Sequence, residues 1–272
     1  MNEFENICLI FEDNPISRAY LEYYKRKNLT KIKIVCLKQK SLLPKKILQN
    51  LKFNKNNYYP IKFLKDKRIL NLINQIEDFF YLDKNFLISM YNFNNLNYFK
   101  NIVFTKNDDI NSKENVKFFS DIDDLNYLNT GKQILKEIFL SEKNFFHIHP
   151  GYLPKIRGAD ASLHGIKLYN QVGASLFKMN EQIDKGKIVL RIEKNYKKFL
   201  FNDFQFFSPK DLYRIWFSFV DPAIRVWCLN NVIEQKLKTN KFLDLNSNNE
   251  VSKYYSFLNE NELKDLFKAL FN

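Results

Sequence analysis

The chain has 272 residues, of which 45% are hydrophobic and 16% aromatic. This composition supports a buried core and excludes a chain that is disordered throughout. The formal net charge is +13, but only seven of the 43 basic residues are arginine, and asparagine-rich runs accompany the lysines. Because phosphate and base recognition favours arginine, we attribute most of the charge to coding bias and solvated surface, and the remainder to an anionic substrate or partner.

The cysteines and the apolar stretches bear on the cellular compartment. Cys8, Cys36 and Cys228 are odd in number and too far apart for a disulfide framework or a zinc motif. The first residues lack the pattern of a signal peptide, and no stretch approaches about 18 consecutive apolar residues. We therefore expect a cytoplasmic protein without a membrane segment.

The first 40 residues predict a β-α-β unit. Residues 6–11 are an apolar run typical of a buried strand, and Lys31–Leu37 is a second one. Between them, Asp13 or Asn14 can cap a helix that has Pro15 at its first position and runs to about Lys27. Such a unit implies a parallel sheet, and the turn after the first strand lacks the glycines of a dinucleotide-binding loop.

The remaining pattern predicts more strands up to about residue 200 and mainly helices after it. We expect strands over 86–90, 101–104, 145–149, 173–179 and 187–192. We expect helices over 40–82 (broken near Pro60), 131–140, from Ser208, over 221–235 and over 262–271. Residues 106–115 and 240–250 are polar and predict loops.

Two histidines close the predicted strand at 145–149. Because alternate side chains of a strand share a face, His147 and His149 point the same way while Phe146 and Ile148 pack on the other side. Pro150 then ends the strand. Open α/β sheets bind ligands at the carboxyl ends of their strands, so the pair indicates a functional site.

All six glycines and all three histidines lie between residues 131 and 186. Within this segment the run His147 to Gly158 reads HIHPGYLPKIRG, and the run Ile183 to Ile188 reads IDKGKI. The second run places Asp184 in a turn between two predicted strands. His164 follows on a predicted helix, where a helix-face role is the simpler interpretation.

The two runs, in this order and at this spacing, resemble the motifs of the N10-formyltetrahydrofolate-dependent formyltransferases. The clear match covers residues 125–192, and the first 120 residues agree in pattern only. The resemblance implies an α/β fold with an open, mostly parallel twisted sheet flanked by helices. We expect residues 1–200 to form this catalytic domain and residues 201–272 a mainly helical C-terminal extension.

The resemblance also implies roles for individual residues. His149 and Asp184 take the family's catalytic His and Asp positions, where imidazole and carboxylate handle the proton that leaves the attacking amine. His147 stands where the family has Asn and is expected to donate an N–H to the oxyanion. The expected folate-binding residues are Gly131, Gln133, Ile134, Leu135, Glu181 and Gln182, and the expected substrate-binding residues are Lys155 and Arg157.

The implied acceptor is the amine of a small anionic molecule, and an amino sugar linked to a nucleotide for surface-polysaccharide synthesis is the first choice. Members of the family that act on tRNA carry a C-terminal β-barrel, whereas residues 208–272 predict helices that fit a small-molecule enzyme or a homodimer contact. Nucleic acid is therefore not the expected partner.

Two other functions remain open from the sequence alone. His147 and His149 form a His-x-His pair that Asp184 could complete as a metal site of a hydrolase, although such enzymes use further histidines. Because His147 replaces the family's Asn, a formyltransferase homologue with altered activity is the second open possibility.

Overall fold

The computed structural model describes residues 3–37, 59–92, 94–244 and 251–271. A seven-stranded sheet occupies the centre of these residues and confirms the α/β class. Its strands are β1 (Cys8–Phe11), β2 (Lys33–Cys36), β3 (Asn101–Phe104), β4 (Asn126–Asn129), β5 (Asn144–His149), β7 (Gln171–Lys178) and β8 (Lys187–Asn195). A short parallel pair, β6 (Arg157–Gly158) and β9 (Tyr254–Tyr255), lies outside this sheet.

The order of the large sheet is β3-β2-β1-β4-β5-β7-β8. The first five strands of this order run parallel, while β7 is antiparallel to both β5 and β8. The expected mostly parallel sheet is therefore confirmed. The chain winds outward in opposite directions from β1 and β4, so a crevice is expected where the carboxyl ends of these strands separate.

Nine α-helices surround the sheet among the described residues. They are α1 (Pro15–Arg26), α2 (Tyr59–Phe63), α3 (Lys67–Phe79), α4 (Phe86–Ser89), α5 (Lys113–Ser120), α6 (Ala161–Tyr169), α7 (Pro209–Ile215), α8 (Asp221–Glu234) and α9 (Glu260–Phe271). A π-helical turn over Trp216–Val220 joins α7 to α8. No helix in the described part of the chain is both long and apolar enough to cross a membrane.

The predicted β-α-β start is confirmed. Asn14 caps α1 by accepting the backbone N–H of Ser17 at 2.9 Å, and Pro15 occupies the first turn. The other end of the Asn14 amide donates to the carbonyl of Thr130 at 2.9 Å. One side chain therefore starts α1 and fixes the loop that follows β4.

The C-terminal helices share a core with the sheet. Trp216, Phe219 and Leu229 are fully buried in the same hydrophobic cluster as Phe146 and Ile148 of β5. Further packing comes from α9, whose Phe267 is fully buried against this cluster. The division at residue 200 stays a prediction, and the observed packing joins residues from both sides of it.

Two sequence predictions of local structure are wrong. Residues 86–90 form helix α4 instead of a strand, because the carboxylate of Glu77 accepts the N–H groups of Asn85 and Leu87, both at 2.8 Å. A short apolar run is compatible with either element, and this distant acceptor decides between them.

The predicted helix at 131–140 is also absent, apart from a 3₁₀ turn over Glu137–Ser141. Side chains from outside the segment accept its N–H groups: Glu12 accepts from Lys132 at 2.7 Å, and Asn111 accepts from Lys136 at 2.8 Å, which takes an N–H that a helix would use internally. These acceptors hold the segment in a series of bends instead of a helix.

Other differences concern boundaries and short elements. The break predicted near Pro60 falls at residues 64–66, between α2 and α3, and residues 40–58 of that predicted helix lie outside the described residues. The predicted loop at 106–115 ends where α5 begins. Of the loop at 240–250, residues 245–250 lie outside the described residues. Strands β4, β6 and β9 were not predicted.

Asn14→Ala should destabilise the fold more than the loss of an ordinary helix cap. The substitution removes the cap of α1 and leaves the buried carbonyl of Thr130 without this donor, so we expect a loss of roughly 2–4 kcal/mol. Ser112→Ala, which removes the cap of α5 alone, should cost about 1 kcal/mol. Urea unfolding of both variants measures the difference, and equal losses would contradict the dual role of Asn14.

Candidate active site

Strand β5 carries both predicted histidines to the carboxyl edge of the sheet on one face. His147 lies opposite Phe177 of β7 in register, and His149 lies opposite Ser175. Phe146 and Ile148 are fully buried on the other face, as predicted. His149 is only 4% exposed, whereas His147 is partly exposed. The alternation of the strand therefore holds the two imidazoles side by side at the position where such sheets bind ligands.

Asp184 comes to the same place from the loop between β7 and β8. Its backbone is left-handed, with φ 54°, and its Oδ2 accepts the backbone N–H of Gly158 at 2.8 Å. Gly186 closes this loop against β7, where a Cβ atom would lie 1.7 Å from the carbonyl oxygen of Lys178. Only glycine permits that approach, so the loop and its carboxylate depend on it.

His149 faces Asp184 with a defined tautomer. The Nε2 atom of His149 lies 3.0 Å from the carbonyl oxygen of Ile156 and therefore carries the proton. The Nδ1 atom is then unprotonated in the neutral ring and lies 3.6 Å from Oδ1 of Asp184. Burial lowers the pKa of His149, although the nearby carboxylate of Asp184 acts in the opposite direction. The ring is therefore neutral at rest, and the carboxylate of Asp184 pairs with it when it is protonated.

His147 has both ring nitrogens engaged. Its Nδ1 lies 3.0 Å from the carbonyl oxygen of Asn129, and its Nε2 lies 3.1 Å from Nη1 of Arg225. Burial, together with the charge of Arg225, lowers the pKa of His147 well below the ordinary histidine value. The expected N–H donation to an oxyanion has no free ring nitrogen in this arrangement, so these contacts do not support that role for His147.

Arg225 and Asp221 are site residues that the sequence analysis missed. Both belong to α8, one turn apart, and Nε of Arg225 donates to Oδ2 of Asp221 at 2.7 Å. Arg225 also donates to the backbone carbonyl of Ile148, between the two histidines. The available signal was a pair of opposite charges at i and i+4 in a helix whose neighbouring residues are almost all apolar.

A cavity of about 190 Å³ opens beside these groups. His147 and Asp184 border it, whereas His149 contacts its wall at Asp184. All six predicted folate-binding residues border the same cavity: Gly131, Gln133, Ile134, Leu135, Glu181 and Gln182. The structure thus collects residues from the β4–β5 and β7–β8 connections around one space, and their role in binding folate stays a prediction.

The two predicted substrate-binding residues lie outside the lining of this cavity. Nζ of Lys155 sits 3.6 Å from the centre of the Tyr169 ring, and Arg157 belongs to β6, next to the Gly158 that holds Asp184. Their role stays a prediction. His164 packs on Tyr255 and its Nε2 lies 2.9 Å from the carbonyl oxygen of Ser256, which agrees with a structural role on the helix face.

The donor set does not fit the alternative of a metal site. Among the residues that the structure describes, no group of three His, Cys, Asp or Glu side chains is placed to hold a metal ion. His147 has no free lone pair either, because a guanidinium occupies Nε2 and a carbonyl faces Nδ1. A metal would have to break these bonds before the His-x-His pair could ligate it.

Removal of His147 should make the fold less sensitive to acid. The unfolded chain binds a proton on this histidine below about pH 6.5 while the folded chain does not, so stability is full above that pH and decreases below it. Between pH 7 and 5 this difference amounts to about 2 kcal/mol. Urea unfolding of His147→Asn across this range should show a smaller loss than wild type, and parallel losses would contradict the neutral state.

Comparison with known proteins gives a similarity of fold. No family model and no curated protein matches the sequence. WlaRD, a sugar 3N-formyl transferase solved with dTDP and 5-N-formyl-THF, is 17% identical with a TM-score of 0.43, over 92% of this chain and 69% of that one. A sugar N-formyltransferase from Shewanella sp. is 14% identical with a TM-score of 0.46, over 92% and 76%. A 4-N formyltransferase from Francisella tularensis is 17% identical with a TM-score of 0.46, over 93% and 77%.

Proposed function

We propose that the chain is an N-formyltransferase that moves a formyl group from N10-formyltetrahydrofolate to the amine of a small anionic acceptor. The observation that carries the proposal is the His149–Asp184 pair, 3.6 Å apart, in which Asp184 borders the cavity and His149 lies behind it. Formyl transfer to an amine needs a group that removes a proton from nitrogen near neutral pH, and this pair is suited to that task.

In this pair the imidazole ring accepts the proton and the carboxylate balances the resulting charge. Nδ1 of His149 is the basic nitrogen, because Nε2 is committed to the carbonyl of Ile156. When Nδ1 takes the proton that leaves the acceptor amine, Asp184 balances the new charge on the ring. The N–H of Gly158 holds the other oxygen of Asp184, so the carboxylate keeps its orientation while its partner changes protonation.

The cavity offers surfaces that suit a folate ring system. Ile134, Leu135 and Phe177 supply apolar side chains to its lining, while Gln133, Glu181 and Gln182 supply polar ones. Gln133 is itself fixed, since its side chain accepts from the N–H of Ile110 and donates to the carbonyl of Asp108. When bound there, N10-formyltetrahydrofolate supplies the formyl group, and the residues named above would hold it.

The acceptor that fits best is an amino sugar linked to a nucleotide, of the kind consumed in surface-polysaccharide synthesis. Such a molecule carries an amine for the reaction and phosphates that basic side chains can recognise. Lys155 stands in the loop after β5 and Arg157 begins β6, both close in sequence to the groups that hold His149 and Asp184. Their charges, and the net charge of +13, are compatible with an anionic acceptor.

Formyl transfer from N10-formyltetrahydrofolate to a panel of nucleotide-linked amino sugars tests the proposal. His149→Asn and Asp184→Asn should each lower kcat by on the order of 10²–10⁴-fold, because each removes one half of the proton-accepting pair. Gain of one formyl group by the acceptor, followed by mass spectrometry, measures the rate.

His164→Asn is the matched control for His149→Asn. His164 also directs Nε2 to a backbone carbonyl, that of Ser256 at 2.9 Å, but it lies outside the site. We expect its activity to stay within a few-fold of wild type. Failure of every reduced folate to bind, or stoichiometric zinc or iron in the purified protein, would overturn the proposal, and tight folate binding without transfer would show a homologue that has lost the reaction.

A further inference from the structure

Arg225 is a buried cation with three kinds of partner. It is 7% exposed, and its ion-pair partner Asp221 is 1% exposed. Its guanidinium donates to Oδ2 of Asp221, to the carbonyl of Ile148 and to Nε2 of His147. A buried charge is tolerated only when its hydrogen-bonding capacity is used, so these contacts define where the guanidinium sits.

The hydrogen-bond partners of His147 determine which of its ring nitrogens carries the proton. Arginine stays charged in proteins and only donates hydrogen bonds, so Nε2 of His147, 3.1 Å from Nη1, must be the acceptor. The carbonyl oxygen of Asn129 only accepts, so Nδ1, 3.0 Å away, must carry the proton. The Nδ1–H tautomer satisfies both contacts. In a doubly protonated ring, the proton on Nε2 would point at the positively charged guanidinium of Arg225.

We propose that Arg225, held by Asp221, is a positioning residue that fixes His147 as the neutral Nδ1–H tautomer in the wall of the candidate active site. The consequence for catalysis rests on the proposed formyl transfer. With Nε2 of His147 occupied, proton transfer is confined to the His149–Asp184 pair. Without Arg225, Nε2 of His147 would be free to take up a proton beside that pair.

Charged and titratable groups surround His147 on several elements. Arg225 reaches it from α8, His149 from its own strand and Asp184 from the β7–β8 loop, while Asp221 of α8 and Tyr20 of α1 face the guanidinium of Arg225. Asp184 favours the protonated ring, whereas Arg225 and a protonated His149 oppose it. Arg225 is the one of these groups that bonds to the ring of His147, and its cation opposes a second charge there.

Nitrogen-15 NMR of the wild-type protein with labelled histidine tests the inference directly. The chain contains three histidines, so His147→Asn identifies the signals of residue 147 by their loss. We expect a protonated Nδ1 and an unprotonated Nε2 that persist from pH 8 to pH 5. A protonated Nε2 in the neutral ring, or a doubly protonated ring at pH 6, would overturn the inference whether or not the protein transfers formyl groups.

Arg225→Lys then tests the positioning role. Lysine keeps a cation but lacks the planar fork that serves Ile148, Asp221 and His147 together, so we expect the signals of His147 to titrate between pH 5 and 8. If formyl transfer is established, kcat should decrease by on the order of 10²-fold with KM little changed, and the pH–rate profile should gain a second ionisation. Unchanged NMR signals and an unchanged profile would refute the role.

Controls separate positioning from general destabilisation. Arg214→Lys alters a partly exposed Arg–Asp pair on α7, with Asp211 at 3.4 Å, and should leave the signals of His147 unchanged. Asp221→Asn retains the shape of the partner while removing its charge, and should shift the signals of His147 in the same direction as Arg225→Lys. If Arg225→Lys does not fold, Asp221→Asn and the wild-type tautomer still decide the question.

Discussion

The buried guanidinium of Arg225 is the contact on which the arrangement of the site depends most directly. It ties helix α8 to the backbone of β5 at Ile148 and to the ring of His147. Removing one partner from a buried ion pair costs about 3–5 kcal/mol, because the remaining charge is stranded. Packing of α8 and polarity at the carboxyl edge of the sheet are therefore coupled, because the C-terminal helices contribute to the candidate site as well as to the core.

A second constraint fixes the carboxylate. Asp184 is held by the N–H of Gly158, and Gly158 has φ 92° with the carbonyl of Tyr255 so close that a Cβ atom would lie 2.3 Å from it. The pairing of β6 with β9 thus requires glycine at this position, and it aims the N–H that orients Asp184. Two of the six glycines in the chain, Gly158 and Gly186, therefore position the carboxylate of Asp184.

The sequence predicted what short-range rules determine. The alternation of β5 placed His147 and His149 on one face, and Asn14 with Pro15 marked the start of α1, because both patterns depend on neighbours only. The segment after Gly131 and helix α4 were mispredicted because side chains outside each segment, Asn111 and Glu77, accept N–H groups from them. Arg225 escaped for the same reason: it contacts His147 across 78 positions, and no local periodicity reports such a bond.

The two histidines show how one residue type acquires two roles on one strand. They are two positions apart, share a face and are both neutral at rest. Each has one ring nitrogen bonded to a backbone carbonyl, and the two residues differ in the atom that faces the other ring nitrogen. For His149 that atom is an oxygen of Asp184, which stabilises the ring when it gains a proton. For His147 it is a nitrogen of Arg225, which prevents the gain. In the proposed reaction, these two environments separate the residue that exchanges protons, His149, from the residue that shapes the cavity wall, His147. The identity of the partner, more than the presence of a second imidazole, therefore decides what His147 contributes to the site.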